Sequence, residues 1–324
     1  MKKILVTGAV GQIGSELTVA LRKKYGDDKV IATDIRMPSD IELRNSGPFE
    51  ILDCLDSHHI TRVMQIHKVD RIYHMAAILS AVGESKPNQA WQLNVNGLYN
   101  ILEAARQYQC SLFFPSSIGA FGPATPKVNT PQDTIQRPET MYGVTKVAGE
   151  LLCDYYHKRF NLDSRGLRLP GLISYATEPG GGTTDYAVEI FYEAIKHKQY
   201  TCYLRDDCSL DMMYMPDAIR AMIELMEAES SKLIHRNAFN ITAMNFTPST
   251  LSESIKKVIP EFEISFNIDP ARQKIADSWP DSIDDSSARN EWGWKPKYDL
   301  DAMTNDMIAK LKGKMSLPEQ QKSR

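Results

Sequence analysis

Tyr142-Gly143-Val144-Thr145-Lys146 sets a phenol and an ammonium four residues apart, so a helix carrying them presents both on one face. A free tyrosine titrates at about 10, too high for an efficient base near neutrality. A neighbouring ammonium favours the phenolate and is expected to bring that value down. Tyr142 is therefore a candidate proton acceptor tuned by Lys146. The same spacing arises where a tyrosine packs beside a surface lysine, so the pair gains its weight from what accompanies it.

The company begins at the amino terminus. Thr7-Gly8-Ala9-Val10-Gly11-Gln12-Ile13-Gly14 directly follows an apolar run and opens an amphipathic segment. Gly8 permits a tight turn, Gly11 lets backbone N–H groups approach a pyrophosphate at a helix amino terminus, and Gly14 allows close packing of helix on sheet. Asp34 ends the next apolar run, twenty positions beyond Gly14. There a carboxylate can accept hydrogen bonds from the adenosine ribose hydroxyls. The combination predicts dinucleotide binding. Asp34 repels the 2′-phosphate of NADP, whereas Arg36 could attract it, point to solvent or stack on adenine; the placed carboxylate favours NAD.

These motifs need elements to hold them. Residues 3–7, 30–33, 71–75 and 111–116 read as strands, and residues 12–25, 57–67 and 88–107 carry apolar positions at helical intervals. A further helix is expected over 138–160, followed by a strand over 164–169. The alternation predicts a Rossmann-type doubly wound α/β fold, a parallel sheet with helices on both faces. After Pro170 the texture changes to a Gly-rich stretch at 179–184 and an amphipathic segment at 186–198. We expect a nucleotide-binding domain over 1–170. A smaller α/β substrate lobe should follow over 171–312, with some segments returning to the first domain, and a flexible tail over 313–324.

At 324 residues the chain is long enough for two such lobes. A formal charge of −3 and the lack of a basic tract give no reason to expect nucleic acid. The leading apolar run is too short for a signal segment and no stretch approaches a membrane span, which points to a cytoplasmic or organelle-matrix protein. Five cysteines without a CxxC pair read as reduced thiols, and the scattered histidines lack metal-ligand spacing, so no metal is expected.

With the glycine loop upstream, YxxxK downstream and Pro115-Ser116-Ser117-Ile118-Gly119-Ala120-Phe121-Gly122 between them, the chain resembles the extended short-chain dehydrogenase/reductase family over nearly its whole length. The resemblance implies that Ser117 hydrogen-bonds the reacting oxygen and that Lys146 also grips the nicotinamide ribose. It further implies that Gln12, Ile13 and Leu169 join the cofactor's surroundings. Asn94 matches the family's structural asparagine, Met75, Ala76 and Ala77 a turn along the cofactor, and Asp53-Cys54 the pair flanking adenine. Helices at 88–107 and 138–160 correspond to those through which the family pairs, implying a homodimer; the alternative is that their apolar residues face the monomer core.

Within that family the second half is similar to the branch that oxidises the C3 hydroxyl of L-threonine to 2-amino-3-oxobutyrate. The stretches 168–174, 180–187 and 275–280 carry this narrower match. It implies that Ser80, Ser117, Tyr142, Thr183, Thr184 and Trp279 surround a small amino acid. For the glycine run the alternative is a plain connector, and for Trp279 a core anchor. A UDP-sugar 4-epimerase or dehydratase would use the same Ser117, Tyr142, Lys146 and NAD. A non-catalytic NAD-binding sensor would borrow only the fold.

Overall fold

The computed structural model describes residues 3–178 and 182–316. Seven strands form one parallel sheet: β1 (Lys3–Thr7), β2 (Val30–Asp34), β3 (Phe49–Ile51), β4 (Val69–His74), β5 (Ser111–Ser117), β6 (Ser164–Leu169) and β10 (Phe239–Asn240). Their order is β10-β6-β5-β4-β1-β2-β3, with every neighbouring pair parallel. From β1 the chain steps outward to β2 and β3, then returns to lay β4 on the other side. That reversal opens a crevice at the carboxyl ends of β1 and β4, where this architecture binds ligands.

The period-2 alternation of β1 divides the core. Ile4 and Val6 pack with Leu17 and Leu21 of the Gln12–Tyr25 helix and with Ala218 and Met222 of the Met215–Glu227 helix. Leu5, on the other face, packs with Ile60 and Val63, with Ile101 and Leu102, and with Cys153 and Tyr156 of the Met141–Phe160 helix. Covered on both faces, β6 is buried at every residue, although it carries Arg165 and Arg168 among its leucines.

The remaining residues build a second core around a three-stranded sheet, β7 (Gly171–Ile173), β9 (Leu210–Tyr214) and β11 (Met244–Phe246). A parallel pair, β8 (Gln199–Cys202) and β12 (Glu263–Phe266), lies with it. Helices Tyr186–Lys196, Pro248–Lys256 and Leu300–Ser316 supply much of that core. Between these elements the chain returns to the first lobe, since the Met215–Glu227 helix covers the large sheet and β10 extends it.

Three expectations change. The helix predicted over 88–107 consists of Pro87–Trp91, a widened π turn at Gln92–Gly97, and Leu98–Tyr108. The helix predicted from 138 starts at Met141, because Thr140 turns its hydroxyl to accept the Gly143 N–H at 3.1 Å and so caps it. The tail predicted from 313 begins inside the last helix, which runs to Ser316. Lys314 is held there by the carbonyls of Tyr175 and Ala176, at 3.4 and 2.9 Å. The rest of that stretch, 317–324, lies outside the described residues.

Phe239 of β10 is fully buried, with Trp292 stacked edge-on at 6.1 Å. Phe239→Ala should cost about 3–5 kcal/mol in urea unfolding. A loss below about 1 kcal/mol would show that β10 is dispensable to the sheet.

Candidate functional site

The crevice between β1 and β4 is lined by the glycine loop. Gly8 adopts φ +67°, and a Cβ there would lie 2.5 Å from the Ala76 nitrogen, so the loop meets the turn after β4 backbone to backbone. The Met75 N–H donates to the Thr7 carbonyl at 3.0 Å and fixes that contact. A Cβ on Gly14 would come within 2.1 Å of the Gly8 carbonyl oxygen. Gly11 precedes the Gln12–Tyr25 helix without any side-chain cap and is exposed, leaving the first N–H groups of the helix, at Gln12 and Ile13, open at the crevice. Such a terminus suits a pyrophosphate.

Asp34 ends β2 beside this loop, with Oδ2 accepting the Val10 N–H at 3.0 Å and Oδ1 the Arg36 N–H at 3.4 Å. The Arg36 side chain is exposed. Further along, Asp53 accepts the Leu55 N–H at 2.9 Å, and the buried Cys54 has its carbonyl held by Asn100 Nδ2 at 3.0 Å. Ala76, Ala77 and Ile78 continue from β4, and Asn94 clasps this turn. Its Oδ1 accepts the Ile78 N–H at 2.8 Å, while Nδ2 donates to the Ile78 carbonyl and to Thr145 Oγ1, both at 3.0 Å. The widened turn in the helix is where Asn94 sits.

Ser117, Tyr142 and Lys146 come together because the Met141–Phe160 helix lies on β5. The Ser117 hydroxyl faces the Tyr142 phenol and accepts the Gly119 N–H at 3.1 Å. A Cβ on Gly119 would stand 3.2 Å from the Tyr142 ring, so glycine there lets the ring approach the serine. Lys146 donates to the Pro115 carbonyl at 2.7 Å and lies 5.3 Å from the centroid of the Tyr142 ring. Leu169 pairs in register with Ser117 across β5 and β6.

The charge state differs from the sequence expectation. Burial pushes the Tyr142 phenol up to about 12, opposed by the facing Ser117 hydroxyl. Lys146 does not return the phenol to its ordinary value, since its ammonium is directed at the Pro115 carbonyl and is itself lowered by burial to about 8, against the pull of Glu150. Neighbouring His74, which shares a 2.8 Å hydrogen bond with Thr7 Oγ1, is pushed by burial to about 3 and is neutral.

The expected substrate residues fall on two sides. Ser80 opens the Ser80–Ser85 helix, whose Gly83 lies against Tyr142 and whose neighbour Glu84 accepts the Met141 N–H at 2.6 Å. Thr183 and Thr184 form a short turn, Thr183–Asp185. Thr183 is buried, and the Thr184 methyl lies against Gly171. Gly180 and Gly181 of the glycine run lie outside the described residues. Trp279 is packed in the second lobe's core, 8% exposed, in the cluster that contains Ile118 and Phe121. That core therefore abuts the segment just after Ser117.

Sequence reasoning passed over the buried polar residues behind Lys146. Glu150, one helical turn on, accepts from Arg168 and from Ser116, the residue beside Ser117. The only signal was the repeat of helical spacing from Tyr142 to Lys146 to Glu150.

Residues 4–242 match the model of the NAD dependent epimerase/dehydratase family, and the chain belongs to that family. An uncharacterized epimerase/dehydratase of Staphylococcus saprophyticus is 55% identical over 97% of this chain and 98% of its own length. A solved L-threonine dehydrogenase of Clostridium difficile is 59% identical, covers 97% of this chain and 98% of its own, and superposes with a TM-score of 0.96. The corresponding enzyme of Phytophthora infestans is 49% identical over 97% of this chain and all of its own, with a TM-score of 0.93.

Lys146 titrates near 8 in the fold, against about 10.4 in an unfolded chain. Between those values the unfolded chain binds more protons, so this group's contribution to stability rises with pH through that window. Below it, burying the ammonium is a standing cost. Lys146→Met should therefore be more stable than wild type near pH 7 by up to roughly 3 kcal/mol, the gap closing by pH 10.5. Paired denaturant titrations would expose a flat difference, which is the contrary result.

Proposed function

We propose that this chain is an NAD-dependent dehydrogenase that oxidises the C3 hydroxyl of L-threonine to give 2-amino-3-oxobutyrate. The contact of Ser117 with Tyr142 at the carboxyl edge of the sheet carries this reading. The likeness to solved L-threonine dehydrogenases directs it to a small amino acid.

In this reading Gly8, Gly11, Gln12, Ile13 and Gly14 receive the pyrophosphate. Asp34 takes the adenosine ribose and favours NAD over its 2′-phosphorylated form, with Arg36 at the rim. Asp53 and Cys54 flank adenine, and Met75, Ala76, Ala77, Asn94 and Leu169 shape the path to the nicotinamide. The backbone cradle at Gly8 and Gly14, which admits no Cβ, supports that fit. Bound NAD supplies a nicotinamide carbon that accepts the hydride leaving C3.

The chain's own residues manage the proton. Ser117 and Tyr142 hold the C3 oxygen between two hydroxyls. Because burial keeps Tyr142 a phenol, it must lose its proton before taking that of C3. The phenolate that results is stabilised by the Ser117 hydroxyl and by the Lys146 ammonium 5.3 Å from the ring. Ser80, Thr183 and Thr184 offer hydroxyls to the polar end of the amino acid, with Trp279 backing the turn that follows Ser117. The sheet lobe over 1–170 and the lobe over 171–312 then bring cofactor and substrate together, residues around 215–227 and 239–240 rejoining the first.

We also propose a homodimer. Val144, Leu151 and Tyr155 are exposed along one stripe of the Met141–Phe160 helix, and Trp91 and Tyr99 are exposed on the preceding helices. Among the described residues no helix is long and apolar enough to cross a membrane, in keeping with a cytoplasmic enzyme of threonine breakdown.

NADH formation with L-threonine, followed by the absorbance of the reduced nicotinamide, tests the activity. Tyr142→Phe should lower kcat by about 10²–10⁴ with NAD affinity retained; near wild-type turnover would remove Tyr142 from the chemistry. Interconversion of UDP-hexoses without net NADH would instead make the chain an epimerase. Light scattering should give twice the chain mass, reduced to one by Leu151→Glu; a wild-type monomer refutes the pairing.

A further inference from the structure

Three consecutive residues of β5 hold three residues of one helix. The Pro115 carbonyl accepts from Lys146, Ser116 Oγ donates to Glu150, and Ser117 faces Tyr142. Glu150 is the member of this set with no assigned part in the chemistry, yet it is among the most elaborately held. Its carboxylate accepts Arg168 Nε at 3.1 and 3.3 Å and Nη2 at 2.8 Å, Gln136 Nε2 at 2.8 Å, and the Ser116 hydroxyl. Arg168 is in turn fixed by the Gln132 carbonyl at 2.7 Å and by Asn240 Oδ1 at 3.1 Å. Both members of the ion pair are buried, at 4% and 6% exposure.

A buried ion pair rarely stabilises a fold more than well-packed apolar side chains of the same volume. Its retention here has a local use. Lys146 is faced by Tyr142 and Glu150 from its own helix, by His74 from β4 and, beyond Glu150, by Arg168 from β6. Tyr142 and His74 are neutral, so Glu150 is the negative charge that offsets the desolvation of the Lys146 ammonium. Asp154 and Cys153 also face Glu150 on the helix, and Cys153 is a neutral thiol.

We propose that Glu150, fixed by Arg168 and Ser116, is a positioning residue that keeps Lys146 an ammonium and holds Tyr142 in register with Ser117. It acts through Lys146 and β5. The inference rests on the reading of Tyr142 and Lys146 as the acid/base pair, but its physical core can be measured without turnover.

Lysine labelled with ¹³C allows the Lys146 side chain to be titrated by NMR in the full-length protein, its signal assigned by its loss in Lys146→Met. Glu150→Gln should lower the proton affinity of Lys146 at least tenfold, and Arg168→Gln, which unmasks the carboxylate, should raise it. Glu150→Asp, which keeps the charge, should stay close to wild type. The alkaline limb of kcat/KM for threonine oxidation should move with each midpoint. A merely structural pair would shift Glu150→Gln and Arg168→Gln in the same direction or not at all, and either result overturns the proposal. Should Glu150→Gln not fold, an unchanged midpoint in Arg168→Gln, or a tenfold fall in Glu150→Asp, overturns it equally. Absence of threonine oxidation in the wild type would fall on the proposed reaction, while the NMR midpoints would still decide the role of Glu150.

Discussion

The seating of the Met141–Phe160 helix on β5 is the contact from which the rest of the site takes its geometry. Pro115 and Ser116 each commit a polar atom to a different residue of that helix and Ser117 faces a third, so a slip of one residue would undo all three contacts at once. Around this contact the other elements are braces. Thr140 and Glu84 fix where the helix begins, and Asn94 ties its Thr145 to the turn after β4. Arg168 reaches from β6 to hold Glu150 from behind. The nucleotide crevice and the candidate acid/base pair thus share one frame, because the turn clasped by Asn94 is the one that meets Gly8.

Burial sets the electrostatic character of the region. Tyr142, Lys146 and His74 are each moved toward their uncharged forms, the phenol upward and the two bases downward. Hydrogen bonds and one carboxylate work against that trend. A proton transfer in such surroundings is governed by a few fixed dipoles, which need no rearrangement when charge develops. The Ser117 hydroxyl and the Pro115 carbonyl are two of them.

Much of the first lobe was legible in the sequence. The helices Gln12–Tyr25 and Ser57–His67 and the strands β1 and β6 fall at the expected residues, since their periodicity and their caps are local. The π turn at Gln92–Gly97 was not legible, because it follows from what Asn94 bonds far away in the chain. Strands of two to five residues in the second half carry too little pattern to separate from loops. The YxxxK spacing located Tyr142 and Lys146 but misjudged the phenol, since spacing along a helix does not report how deeply the pair is buried. Glu150 and Arg168 become partners only when β6 lies beside β5.

The last strand of the large sheet comes late. β10 joins β6 only after the chain has built β7, β8 and β9 elsewhere, and with it arrives Asn240, which completes the hold on Arg168. Arg165 likewise waits for the carbonyls of Leu225 and Ala228. Contacts so distant in sequence carry a large loop-closure entropy that must be met before they contribute. The lobes are consequently intertwined in inheritance as well as in space: an exchange of gene segments at residue 170 would hand a new partner an open sheet edge, an Arg168 without Asn240 and an Arg165 without the carbonyls of Leu225 and Ala228.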